Sequence, residues 1–101
     1  MASFLTSIST KEKTIFAKRL AFLVKAGVPI IQGLKMLRNQ SRSRGKSKIL
    51  DQVIDDVLNG QYLSSSLAKF KNDFDQFAIN LIRIGEESGT LEENLNYLAE
   101  E

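Results

Sequence analysis

The stretch Gly85-Glu86-Glu87-Ser88-Gly89-Thr90-Leu91 admits few conformations and fixes much of what the chain can become. Helix-like apolar sequence runs up to its first glycine (Phe77, Leu81, Ile84) and resumes after its second (Leu91, Leu95, Leu98). Glycine just past a helix end supplies the left-handed cap conformation that other residues adopt only with strain. Thr90 followed by Glu93 reads as a capping box that starts a new helix. The segment is therefore expected to be a tight acidic corner between two helices, with Gly85 and Gly89 as its turning points.

Similar punctuation recurs along the chain. Ser9 with Glu12 is a capping-box start for a first helix over about residues 10–26, and Phe16, Leu20, Leu23 and Val24 carry its apolar face. Gly27 ends it, and Pro29 suits the first turn of the next helix, where its missing N–H costs nothing. Ile30, Ile31, Leu34 and Leu37 extend that helix to about Asn39. The polar, basic stretch from Gln40 to Ser47 reads as a loop. A third helix is expected over about 47–59, with Leu50, Val53, Ile54, Val57 and Leu58 inward and Asp51, Asp55 and Asp56 mainly outward. Gly60 caps it. A short helix over about 64–70 has Ser64 as its N-cap, a fifth over about 75–84 is capped by Asp73 or Asp75, and a sixth starts after Thr90 and runs to Glu101. No segment sustains the alternation of a strand. The expectation is an all-α domain, a compact six-helix bundle of short antiparallel helices over residues 10–101, with residues 1–9 as a disordered tail or leader.

Composition narrows the chemistry. The chain contains no cysteine and no histidine, which removes the thiolate, the imidazole and the main zinc ligands. An enzyme built on it would have to rely on Asp, Glu, Lys, Ser or Tyr. No apolar run approaches the roughly 20 residues needed to cross a bilayer, and the first residues lack the pattern of a secretory signal. Charge is strongly divided. The first fifty residues hold eleven Lys and Arg against one acid, and the remainder hold three against eleven. Such asymmetry favours patches of opposite sign that meet partners.

The basic run holds Arg38, Arg42, Arg44, Lys46 and Lys48, candidates for contact with anionic lipid or an acidic protein surface. Binding of nucleic acid by phosphate neutralisation is the alternative, but no aromatics are interleaved for stacking on bases. Gly45-Lys46-Ser47 matches only the tail of a phosphate-binding loop. Gln40 stands where the first glycine of that motif belongs. At the acidic corner, Glu86 and Glu87 are candidates to ligate a hard cation such as Ca²⁺ through oxygen, although the spacing is not that of an EF-hand. Glu92 and Glu93 suit the positive end of a helix dipole. Tyr62 and Tyr97 suit the edge of an interaction surface.

Three segments together resemble a known family. Phe16…Leu20…Leu23…Ala26-Gly27-Val28-Pro29-Ile30…Gly33-Leu34 is similar to its opening segment. Gly60-Gln61-Tyr62-Leu63-Ser64-Ser65-Ser66-Leu67 is similar to its middle segment. Gly85-Glu86-Glu87-Ser88-Gly89-Thr90-Leu91…Leu95 is similar to its closing segment. This is the type II secretion F domain, found in inner-membrane platform proteins of type II secretion and type IV pilus machines. Gly33 stands where alanine is frequent and Tyr62 where a small residue is frequent. The resemblance implies a non-enzymatic platform domain at the cytoplasmic face of the bacterial inner membrane, cut from a larger membrane protein. It further implies coupling of a cytoplasmic assembly ATPase to pilin or pseudopilin polymerisation, contacts with other inner-membrane components, and homo-oligomerisation. No cofactor other than Ca²⁺ at Glu86 and Glu87 and no nucleic acid is expected.

Overall fold

The computed structural model describes residues 8–101, so residues 1–7 of the expected tail lie outside the described part. Ile8 and Ser9, assigned to that tail from sequence, belong to the fold. Ile8 is buried, and its backbone N–H donates to Asp73 Oδ1 at 2.8 Å. Ser9 is the N-cap of the first helix.

Six helices follow in chain order: α1 Thr10–Lys25, α2 Ile30–Gln40, α3 Arg44–Leu58, α4 Leu63–Leu67, α5 Gln76–Ser88 and α6 Leu91–Glu100. Each packs on the next, and α6 returns to pack on α1, so the helices close into a ring around one core. Leu20, Leu34, Val53, Leu67 and Leu95, one from each helix except α5, are fully buried there, joined by Ile79 and Ile82 of α5. Phe16 and Phe74 meet edge-on with ring centroids 5.8 Å apart. Burial of each such large apolar side chain contributes about 1.5–3 kcal/mol. No strand occurs among the described residues.

The caps explain several boundaries. Ser9 Oγ accepts from Glu12 N–H at 3.1 Å while Glu12 Oε1 accepts from Ser9 N–H at 2.9 Å, the reciprocal pair expected from sequence. Gly27 (φ +84°), Gly60 (φ +94°) and Gly89 (φ +72°) occupy the left-handed region where helices stop. Pro29 immediately precedes α2 as its N-cap residue. Asp75, not Asp73, caps α5, accepting from Ala78 N–H at 2.9 Å.

Other expectations are corrected. α3 starts a turn early because Ser43 Oγ accepts from Lys46 N–H, which leaves only residues 41–43 as the loop. Asp56 and Leu58 exchange roles. Asp56, three residues after Val53, faces inward and Leu58 is exposed. α4 begins at Leu63 and ends at Leu67, without a cap from Ser64. α5 runs a full turn beyond Ile84, so Gly85 lies inside the helix rather than at the corner. The box at Thr90 is not formed. Its backbone (φ −118°, ψ +30°) is not extended, and its hydroxyl makes no cap bond.

Candidate functional site

The acidic corner is held by long-range contacts that sequence spacing alone does not reveal. Gly85 packs against the backbone at the start of α6. A Cβ placed there would stand 2.8 Å from Leu91 Cα, backbone against side chain, a separation that real Cβ atoms do not tolerate. The Gly85 carbonyl accepts from the N–H groups of Gly89 and Thr90, which closes the end of α5. Asn94 Nδ2 crosses from α6 to donate to the Leu81 carbonyl at 2.7 Å.

Glu86, the next residue, points to a different helix. Its Oε2 accepts from Leu63 N–H at 2.7 Å and its Oε1 from Ser64 N–H at 3.1 Å. These are the donors at the start of α4, which its own sequence leaves uncapped. A carboxylate at this end also suits the helix dipole. Both Glu86 oxygens thus serve the fold, while Glu87 is exposed. The structure does not assemble the two as a chelate with further ligands. Among the described residues no group of three or more acidic, histidine or cysteine side chains gathers that could hold a metal ion.

A second carboxylate, Asp56, was missed from sequence. It is 5% exposed and accepts from Ser66 Oγ at 2.7 Å, Lys69 Nζ at 2.9 Å and Gln52 Nε2 at 3.0 Å. The Ser66 hydroxyl, with help from Lys69 and Gln52, holds its carboxyl below the usual aspartate range despite burial. The legible signal was its i+3 spacing from Val53, facing the serine run 64–66. Asp56 and Glu86 together fasten α4, a five-residue helix too short to persist alone, to α3 and α5.

The five cations of the basic run separate into three environments. Arg38 is committed to Asp51, with Nε 2.7 Å from Oδ1, and this pairing raises its already high pKa. Lys46 is 8% exposed, and burial first, then the like charge of Arg19, pull its amine below the usual lysine range while Glu12 opposes them. Arg42, Arg44 and Lys48 are exposed and form no ion pair among the described residues. Two of those three, with Lys46, lie in the opening turns of α3, where the helix dipole disfavours positive charge. An anionic surface supplied from outside would relieve that.

A cavity of about 250 Å³ lies between α1, α5 and α6. It is lined chiefly by Phe16, Phe74, Phe77, Ile82, Leu95 and Leu98. The two aspartates at its edge, Asp73 and Asp75, already accept from the backbone N–H groups of Ile8 and Ala78. Asp75 caps α5 and Asp73 ties down the chain just before α1, so neither is held as one of a paired acid and base.

The chain resembles known proteins over most of its length. A family model described as type II secretion system, protein F, matches residues 16–101. Type IV pilus assembly protein PilC from Thermus thermophilus is 39% identical over 88% of this chain and 22% of its own length. Type 4 fimbrial assembly protein PilC from Pseudomonas putida is 36% identical over 83% of this chain and 21% of its own. Type II secretion system protein F from Aeromonas hydrophila is 34% identical over 96% of this chain and 25% of its own. The chain thus spans about a fifth to a quarter of the length of these relatives. With one family model covering everything from Phe16 to Glu101, the chain belongs to the type II secretion system protein F family.

Proposed function

We propose that this domain is a non-enzymatic scaffold of a pilus or type II secretion assembly platform, passing movement from a cytoplasmic assembly ATPase to pilin or pseudopilin polymerisation at the inner membrane. The observation that carries the reading is the family match across three helix corners, in relatives whose names place them in pilus assembly or secretion. The disposition of the polar side chains supports it. Asp56, Asp73, Asp75 and Glu86, the carboxylates best placed for chemistry, are bonded to the fold itself. The exposed cations Arg42, Arg44 and Lys48 serve as contacts for anionic lipid or an acidic neighbour. The ring of short helices shares one core, which suits it to pass on movement as a unit. The nucleic-acid alternative gains nothing from the fold, because Arg38 is paired with Asp51, Lys46 is buried, and only Arg42, Arg44 and Lys48 of the basic run stay exposed, with no aromatic among them.

Deleting residues 10–101 from the full-length protein is expected to abolish pilus assembly or secretion while the assembly ATPase is still produced. Binding of the purified domain to that ATPase should weaken as salt rises. Unimpaired assembly after the deletion, or turnover of a substrate by the purified domain, would overturn the reading.

A further inference from the structure

From Lys13 to Gln40 the chain carries six cations and no carboxylate. Among the described residues only Arg38 of these six is ion-paired, with Asp51 of α3. Two of the others, Lys18 and Arg19, border an open groove of about 600 Å³ between α1 and α2. Leu23 and buried Leu37 line it, Phe22 and Met36 stand at its sides, and Lys18 and Arg19 border it. Among the described residues Phe22 is 70% exposed and Met36 43%, an unusual cost for an aromatic ring and a thioether on a domain this small. Lys18 and Lys25 lie one turn before and one turn after Phe22, so the same helical face alternates apolar and positive groups.

We propose that the α1/α2 groove is a docking site for an amphipathic helix with acidic flanks, supplied by a partner protein. Apolar side chains at i, i+3, i+4 and i+7 of that helix fill the groove between Phe22 and Met36, and its carboxylates meet Lys18, Arg19 and Lys25. A groove accepts a ridge of side chains, whereas a lipid surface demands a protruding one. Phenylalanine supplies a rigid anchor, and methionine adapts to the shape it meets. The sign of the charge selects the partner. A second exposed apolar surface, at Phe77, Ile84 and Tyr97 of α5 and α6, lies on elements whose acids Glu87, Glu92, Glu93 and Glu100 outnumber the single cation Arg83, and it disfavours such a helix. The proposal deepens the scaffold reading, since it rests on a partner-driven role and adds where one partner sits and what it looks like.

The test uses the 101-residue chain labelled at methionine methyls and a synthetic helix of about four turns, with leucine at i, i+3, i+4 and i+7 and glutamate elsewhere, beside its lysine twin. The Met36 methyl signal should move with the glutamate helix, which should bind at least about tenfold tighter than the twin. Phe22→Ser should weaken binding by about tenfold and leave thermal unfolding unchanged, because the ring is exposed. Lys18→Glu combined with Arg19→Glu should reverse the preference between the twins. Equal binding of the two helices, a silent Met36, or unaltered binding by Phe22→Ser would overturn the proposal. So would a Met36 signal that moves only on raising the chain's own concentration, or only with phosphatidylglycerol vesicles, since these identify a second copy or a membrane as occupant. In the full-length protein, Phe22→Ser should impair assembly. Normal assembly with this variant, in cells where deleting the domain abolishes it, defeats the groove while leaving the scaffold reading intact.

Discussion

The corner between α1 and α2 and the corner between α5 and α6 both turn on a glycine with positive φ, yet they are built differently. At Gly27 an added Cβ would meet nothing within 4 Å. The glycine is there for its backbone, and the turn is closed by neighbours in sequence, with Val28 N–H donating to the Leu23 carbonyl at 3.0 Å. Gly89 plays the same part at the other corner, also in open space. Four residues earlier, however, Gly85 is needed for room rather than conformation, and Glu86 reaches across to cap a helix 22 positions upstream. The first corner is local. The second is a junction of three helices, and substitutions in it should propagate.

The largest effect is expected at Gly85. Gly85→Ala must part α5 from α6 or bend the start of α6, because the new methyl faces Leu91 backbone rather than a flexible side chain. Alanine regains about 1 kcal/mol of helix propensity. The net loss should still be about 2–3 kcal/mol, a fall in Tm on the order of 10 °C for a domain of this size, read by circular dichroism. A neutral Gly85→Ala would erase the contrast between the two corners.

Asp56 extends the contrast to the corner at Gly60. Its side chain joins α3 to Ser66 and Lys69, so that turn is also tied beyond its own residues. Asp56→Asn keeps the size but loses the charge that the Ser66 hydroxyl and the Lys69 ammonium meet. A loss of about 2 kcal/mol is expected. The pH dependence follows from the lowered carboxyl pKa in the folded state. Above the unfolded value, about 3.9, both states are ionised and the stabilisation is complete. Below it the unfolded chain binds the proton first, and the stabilisation drains away until the folded value is passed. Wild type should therefore lose more stability than Asp56→Asn on acidification through and below pH of about 4. Parallel curves would show that the charge of Asp56 does not matter.

How much of this was readable depended on whether a feature was local. The α1 capping box at Ser9 and Glu12, the stop at Gly27 and the cap at Asp75 follow from residues a few positions apart, and all stand in the structure. The start of α3 was local too, but the basic composition around Ser43 concealed an ordinary serine cap. Gly85 and Glu86 could not be placed correctly from spacing, because their reasons lie in α6 and α4. A glycine flanked by carboxylates looks like a turn whether it bends the chain or admits another helix. Asp56 reads as outward by its charge, but its position three residues from Val53 turns it inward. The basic candidates divided for a similar reason: a run of cations in sequence says nothing of which one meets an Asp51 or is buried near a Glu12.

Glu86 allows a finer division within the larger junction. Glu86→Ala leaves the Leu63 and Ser64 N–H groups without their acceptor and should cost about 1–2 kcal/mol, the worth of a good N-cap. Glu86→Gln, which keeps one acceptor oxygen, should recover about half of that. Protection of the α4 amides from hydrogen exchange should fall more than that of α1 or α2, since the lost bonds are at the start of α4. Calcium and chelator should leave the wild-type midpoint unchanged. A calcium-dependent rise that Glu86→Ala abolishes would instead make this carboxylate a ligand.

The smallest effect belongs to the local corner. Gly27→Ala places a methyl in open space but in the left-handed region, and the expected cost is about 1 kcal/mol. Gly27→Asn should cost less, because asparagine visits that region more readily. At Gly85 the order should invert, with asparagine worse than alanine, because the limit there is volume rather than φ. Measuring the alanine and asparagine pairs at both sites thus separates conformation from space without knowledge of either absolute stability. If asparagine outranked alanine at both positions, Gly85 would be another conformational glycine and the α5/α6 junction would be no tighter than the turn at Gly27.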